Sequence, residues 1–279
     1  MLSGIFTPSP EGRSLSQAPH LLRQSTPVTV RFSTSTGLPQ IPGNAPDAGP
    51  RGCAIRFHLD KDVHTDIIGH SIDGFPTRTG QESLDLLRAA ESDPSKFFAT
   101  DPFALAYVRT PKPNPVSFAT QTYFGVTAFR FTNPDGVIQY LRYRIVPGAG
   151  VAHLDDAAAK EQGENYLFEE LGRRIAAGPI RLEIRVQVAN EGDVVDDSTI
   201  HWPADRRVVS LGEVELTAKA DDDDEHRRII FDPIPCVDGI QPSDDRLLEL
   251  RAAIYLLSGR RRRQTSALSA PVEEVGTAR

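Results

Sequence analysis

The stretch LRAAIYLLSGRRRR, residues 250–263, sets Arg251, Tyr255 and Arg262 at offsets of four and seven. That spacing stacks all three on one helical face. A phenol ordinarily titrates near about 10. A guanidinium one turn away favours the phenolate, whose oxygen is an anionic ligand for ferric iron. A further arginine one or two turns on can hold a carboxylate through two parallel hydrogen bonds. An iron seeking an axial oxygen and an acid seeking a cation together describe a haem with its propionates. The same residues equally describe a core tyrosine bonded to Arg251, with the arginine run answering the helix dipole. On these residues alone both readings stand.

A second set lies in HLDKDVHTDIIGH, where His58, His64 and His70 recur at spacings of six and Asp66 follows His64 by two. On a strand, His64 and Asp66 point to one face. With another histidine they match the two-histidine, one-carboxylate triad of non-haem iron oxygenases. H-x-D also arises often by chance, and the plain alternative is polar sheet faces and loop edges. There is no glycine-rich phosphate loop, no G-x-S-x-G and no C-x-x-C.

The elements that must position these groups are mostly strands. Residues 27–33, 52–59, 126–132, 137–147, 180–189 and 207–217 alternate apolar and polar side chains, the period of a half-buried strand. They predict an antiparallel sheet with one polar face, or a barrel. Helical spacing appears at 81–91, 164–178 and 243–259. In the last, Ser243 is placed to cap, two aspartates suit the first turn, and Gly259 suits the end. The acidic run at 221–225 predicts a solvated loop, and residues 264–279 a disordered tail. No repeat and no boundary between independent domains is visible.

Composition narrows the classes. With 279 residues, 39% hydrophobic and 25% charged, the chain has the make-up of a soluble globular domain. A formal charge of −7 gives no general attraction to nucleic acid or to an anionic membrane. Two cysteines, Cys53 and Cys236, are too few for a disulfide framework or a thiolate metal site and read as free thiols. No apolar run reaches the roughly 18 residues that span a bilayer. The opening MLSGIFTPSPEG has neither the basic nor the apolar region of a signal peptide, so the expected location is cytoplasmic.

Longer phrases carry a resemblance. TPVTVRFSTSTGLPQIPGNAPDAGPRGCAIRFHL is similar to the haem catalase core, and IIFDPIPCVDGIQPSDDRLLELRAAIY to the catalase segment leading into the proximal tyrosine. FTPSP, PVSFATQTYFG and RAAIYLLSGRRR resemble the small catalase-related peroxidases, which lack the extra domains of large catalases. The resemblance implies an α+β protein: an eight-stranded antiparallel barrel with flanking helices, a single catalase-core domain over 1–263. It implies haem b as cofactor, with Tyr255 as axial ligand to the iron. Arg251 then matches the arginine that bonds the phenolate, while Arg31 and Arg262 match propionate partners. Ser33 matches the serine that orients the distal histidine, Phe75 the phenylalanine over the haem, and His70 falls where large catalases carry an asparagine.

The implied activity is reduction of hydrogen peroxide or organic peroxides, with small organic molecules as electron donors. One departure bears on it. The distal histidine belongs in an H-A-K-G-like segment about ten residues before FTPSP, and these residues contain no such segment. The core therefore reads as truncated, with impaired turnover and with His70 as a stand-in base. His20, too far downstream to align, reads as a helix or loop residue. Alternatives are conversion of fatty-acid hydroperoxides and haem binding without turnover. The oligomeric state, monomer or homo-oligomer, is left open.

Overall fold

The computed structural model describes residues 1–34, 41–45, 48–221, 226, 228–235 and 237–268, with side chains in the last helix described through residue 261. Ten strands among the described residues form one sheet that closes on itself. They are β1 (Leu2–Pro8), β2 (Thr26–Ser33), β3 (Gly52–Asp60), β4 (Val63–His70), β5 (Tyr123–Phe124), β6 (Phe129–Thr132), β7 (Ile138–Pro147), β8 (Ile180–Val188), β9 (Val208–Lys219) and β10 (Ile240–Pro242). Pairing runs β7-β5-β4-β3-β2-β1-β9-β8 and returns to β7 through β8, all antiparallel, which makes the expected eight-stranded barrel. Beside β5, β6 continues along the same edge of β7 and carries β10 outside. Between β4 and β5 the wall is joined at one position only, His70 opposite Phe124.

Alternation decides what fills the barrel. Val28, Val30 and Phe32 of β2, Ile55 and Phe57 of β3, and Ile67 of β4 enter one buried cluster with Ile145, Leu182, Ile184 and Val214. The residues between them face outward, and the polar ones among them form the outer wall discussed below. Strand β1 escaped the sequence reading because LSGIFTP looks like turn chemistry. Gly4 explains it: a Cβ there would lie 2.1 Å from the Glu215 carbonyl oxygen, so the close β1–β9 approach requires glycine.

Eight helices flank the barrel among the described residues: α1 (Pro10–Arg13), α2 (Pro19–Leu22), α3 (Gly80–Ala90), α4 (Ser95–Thr100), α5 (Pro102–Arg109), α6 (Asp156–Lys160), α7 (Tyr166–Ala177) and α8 (Arg246–Leu268). None of those described is long and apolar enough to cross a membrane. The start and end of α8 differ from expectation. Asp245, not Ser243, caps it, its Oδ1 accepting from the Leu247 amide at 2.9 Å. The helix also runs through Gly259 to Leu268, so residues 264–268 are helical, while 269–279 lie outside the described residues.

Gly259 is not a terminator but a contact. Its missing Cβ would sit 2.3 Å from Ile230 Cγ1, so glycine lets α8 lie close against that segment. Gly259→Ala is therefore expected to destabilise the protein by about 1–3 kcal/mol despite alanine's better helix propensity. Thermal unfolding of the single variant and of Gly259→Ala/Ile230→Ala checks this, since trimming Ile230 should relieve part of the cost.

Candidate active site

The outer wall of β2, β3 and β4 presents three rows set by strand register. Thr29, Arg56 and Asp66 share one row, Arg31, Ala54 and Ile68 the next, and Ser33, Gly52 and His70 the last. Arg56 grips Asp66 through two hydrogen bonds, 2.9 and 2.7 Å, and both side chains are nearly buried. The spare capacity of this pair anchors another segment. Arg56 donates to the Ile230 carbonyl at 2.6 Å, and Asp66 accepts from the Asp232 amide at 2.8 Å. Between those anchors Phe231 lies under two guanidiniums, Arg31 at 4.6 Å and Arg56 at 5.3 Å from its ring centre.

This settles the H-x-D cluster. The carboxylate of Asp66 is taken up by Arg56 and a backbone amide, which positions 230–232 rather than a metal. Neighbouring His58 shares a hydrogen bond of 2.9 Å with Thr29 and pairs in register with His64. Burial, then the Arg56 charge, holds both imidazoles below their ordinary range. No group of three metal-ligating side chains exists among the described residues, so the oxygenase triad is not formed.

The Asp66 anchor reaches α8. Segment 230–232 receives Gly259, and four residues before it stands Tyr255, half-buried. Four residues earlier again is Arg251, whose guanidinium donates to Thr127 Oγ1 at 3.3 Å. Arg251, Tyr255 and Gly259 thus form one face of α8, tied at both ends to the barrel side. Leu247 and Leu248, also on the inward side, are buried. The helix start is buried too: burial raises the Asp245 carboxyl above its ordinary range, and the facing Arg251 charge offsets part of that rise.

The third row is where polar groups collect without partners. Gly52 lacks the side chain that would separate Ser33 from His70; a Cβ there would lie 2.4 Å from Ser33 Oγ. Ser33 is exposed. The His70 ring is partly covered, yet both nitrogens are sealed from solvent and neither has a hydrogen-bond partner. Burial, with the Arg251 charge as a second cause, lowers its pKa from 6.5 to about 3. Phe75 sets its ring edge to His70, centres 6.2 Å apart, and its amide donates to the Ser198 carbonyl at 3.1 Å. Gly74, at φ +133°, makes the turn between them.

The expected residues are therefore distributed as follows. Ser33 and His70 flank the Gly52 gap, Phe75 lies edge-on to His70, and Arg31 stands one row away. Arg251 acts on His70 electrostatically, and Tyr255 follows one turn along α8. The side chain of Arg262 and residue Cys236 lie outside the described residues, as do residues 222–225 of the acidic run; Cys53 is buried and free. Sequence reading missed Gly52 and Thr127, and set Asp245 in the first turn where it caps the helix. An aspartate just before a helix was a usable signal for Asp245; Thr127 had none.

A flat group bearing a ferric iron and carboxylates suits this donor set: a phenol with an adjacent guanidinium, a further arginine, an aromatic ring, and a side-chain gap beside unpartnered imidazole nitrogens. A family profile described as catalase matches residues 2–277. A catalase-related peroxidase of Mycolicibacterium paratuberculosis is 34% identical over 91% of this chain and 84% of its own. Another, of Synechococcus elongatus, is 29% identical over 91% and 78%. Catalase A of Saccharomyces cerevisiae superposes with a TM-score of 0.82 at 18% identity, covering 94% of this chain and 59% of that one. The chain spans little more than half of such large catalases, whose barrel it shares; a bacterial catalase gives 0.81 at 22% identity over 55% of its length. With the profile running nearly end to end over the barrel, its outer wall and α8, the chain belongs to the catalase family.

Proposed function

We propose that this protein is a haem-dependent peroxidase/catalase that reduces hydrogen peroxide or organic peroxides with small organic donors. The observation that supports it is the Ser33–Gly52–His70 row, whose His70 feels the charge of Arg251, one turn before Tyr255 on α8. The relatives named catalase-related peroxidase support the reading.

Haem b, when bound, supplies the iron that exchanges electrons with peroxide and donor. The chain's own residues do the rest. Tyr255 would ligate the iron through its oxygen, with the Arg251 guanidinium one turn before it on α8. Arg31 and Arg262 would take the propionates. Phe75 gives an apolar ring beside the polar row. His70 would accept a proton from one peroxide oxygen on an unpartnered nitrogen and hand it to the other, which would leave as water; the two electrons for that cleavage are the chemistry bound haem would supply. Ser33, across the gap, offers a hydroxyl to the same small ligand.

The depressed pKa of His70 cuts both ways. Its imidazole stays neutral down to about pH 3, so it is always free to accept a proton. It is also a weak base, and proton transfer is best when the pKa lies near working pH. Turnover is thereby expected to be low and nearly level between about pH 5 and 8. His70→Ala should lower peroxide turnover by about 10²- to 10⁴-fold without loss of haem. An unchanged rate, or a wild-type inflection near the ordinary histidine value, would sink the assignment.

Reconstitution with hemin tests the whole reading. Stoichiometric uptake, the spectrum of phenolate-ligated ferric haem, and peroxide consumption with a phenolic donor are expected. A protein that takes up no hemin overturns it.

A further inference from the structure

The loop between β8 and β9, residues 189–207, reaches the site only through the Ser198 carbonyl, yet it is built more firmly than a connection needs. Trp202, the chain's one tryptophan, is buried and donates through Nε1 to the Val194 carbonyl at 2.7 Å. Its ring covers the Arg142 guanidinium of β7 at 4.4 Å. Arg142, also buried, donates to the carbonyls of Ile200 at 2.6 Å and Asp197 at 3.0 Å. Burial lowers its pKa from 12.5 to about 10, with neighbouring aspartates offsetting part of the fall, so it remains a cation at neutral pH. A second clasp closes the base of the loop, where Arg206 grips Asp193 through bonds of 2.8 and 2.9 Å. Connecting loops are ordinarily mobile; a buried cation that holds two carbonyls from a neighbouring strand makes this one rigid.

What the loop holds is the turn that carries Phe75. The Ser198 carbonyl lies between the two carbonyls that Arg142 fixes, and it accepts from the Phe75 amide at 3.1 Å. His201 lies against Gly74: a Cβ on residue 74 would sit 2.6 Å from its Nε2. The turn is thus pinned by a hydrogen bond and by a ring, and glycine at φ +133° is compatible with both. Phe75 stands edge-on to His70, ring centres 6.2 Å apart, as the apolar wall beside the polar row. A ring fixed from behind is a wall that does not give, so it limits the size of a molecule approaching His70.

We infer that loop 189–207 is a brace for Phe75, with Arg142, Trp202 and His201 as positioning residues, and that it selects small peroxides over bulky organic ones by holding that wall close to His70. The three act through Phe75 and the turn beside it. The size selection rests on the haem reading above, whereas the bracing belongs to the folded chain alone.

His201→Ala and Trp202→Phe test it, the first at an exposed position where the fold is kept. Before hemin is added, amide exchange at Phe75 should quicken about tenfold or more in both variants. After loading, with rates expressed per bound haem, the ratio of kcat/KM for tert-butyl hydroperoxide to that for hydrogen peroxide should rise at least about fivefold. Phe75→Ala should raise the ratio by itself. Adding His201→Ala to it should raise it no further, because the brace then has no ring to hold. Unchanged exchange at Phe75 in both variants overturns the brace. A ratio that stays at the wild-type value, or rises as much in the Phe75→Ala background as in the wild type, overturns the size selection. A wild type that takes up no hemin removes the haem reading and the size selection with it, while the exchange rates still decide the brace.

Discussion

Tyr255→Phe is expected to fold normally and to lose the phenolate-type ferric spectrum together with peroxide turnover. The change removes one oxygen and keeps the ring. Tyr255 is only half-buried, and its melting temperature should move little. What it removes is the phenol oxygen that this face of α8 offers between Arg251 and Gly259. Residues that merely support a metal ligand typically cost 10- to 100-fold in affinity or activity, so losing the ligand should exceed about 100-fold. Arg251→Leu makes the comparison informative. It keeps the phenol but removes the guanidinium one turn away, and also frees His70 from one of the two causes lowering its pKa. It should keep an oxygen-ligated ferric spectrum that Tyr255→Phe loses, with weakened turnover. A Tyr255→Phe protein with a wild-type spectrum would remove Tyr255 as ligand.

How much of this was legible beforehand follows from range. Alternation along β2, β3, β7, β8 and β9 is a local signal, and each was readable because one face is apolar throughout. Barrel closure depends on β7 meeting β8 and on β1, whose glycine and proline read as a turn until Glu215 is seen pressed against Gly4. The helical stripe of Arg251 and Tyr255 was equally local. What made that stripe a site is not local: Asp66 lies 166 residues from the Asp232 amide it holds, and Arg56 lies 174 from the Ile230 carbonyl. Read in isolation, Asp66 allowed a weak metal-ligand reading beside the plain one of a polar sheet face, since H-x-D states which side chains share a face but not what comes to lie on it. Gly259 misled in the same way. As a local signal it ends a helix, while in the fold it is the groove that seats one on Ile230.

His20 gives the second large expectation, a steep loss of stability in mild acid. It stands on α2 and is 2% exposed, inside the aromatic part of the core. Its ring centre lies 4.7 Å from that of Phe57 and 6.2 Å from that of Phe6, and Nδ1 has no hydrogen-bond partner. Burial alone lowers its pKa from 6.5 to about 3. A base whose folded pKa is depressed binds its proton more readily in the unfolded chain. Above the unfolded value both states are neutral and pH has no effect. Below it, unfolding takes up a proton that the folded barrel refuses, and stability falls by about 1.4 kcal/mol per pH unit until about pH 3. At about pH 5 the loss from His20 is about 2 kcal/mol. His20→Leu removes the titrating group and leaves an apolar side chain among Phe6 and Phe57. Urea unfolding of both proteins at about pH 8 and about pH 5 isolates the effect, because His70 and the carboxylates titrate in each and cancel in the difference. The variant should gain about 2 kcal/mol relative to wild type between the two pH values. An equal difference at both would mean that His20 takes up its proton as readily inside the fold as in the unfolded chain.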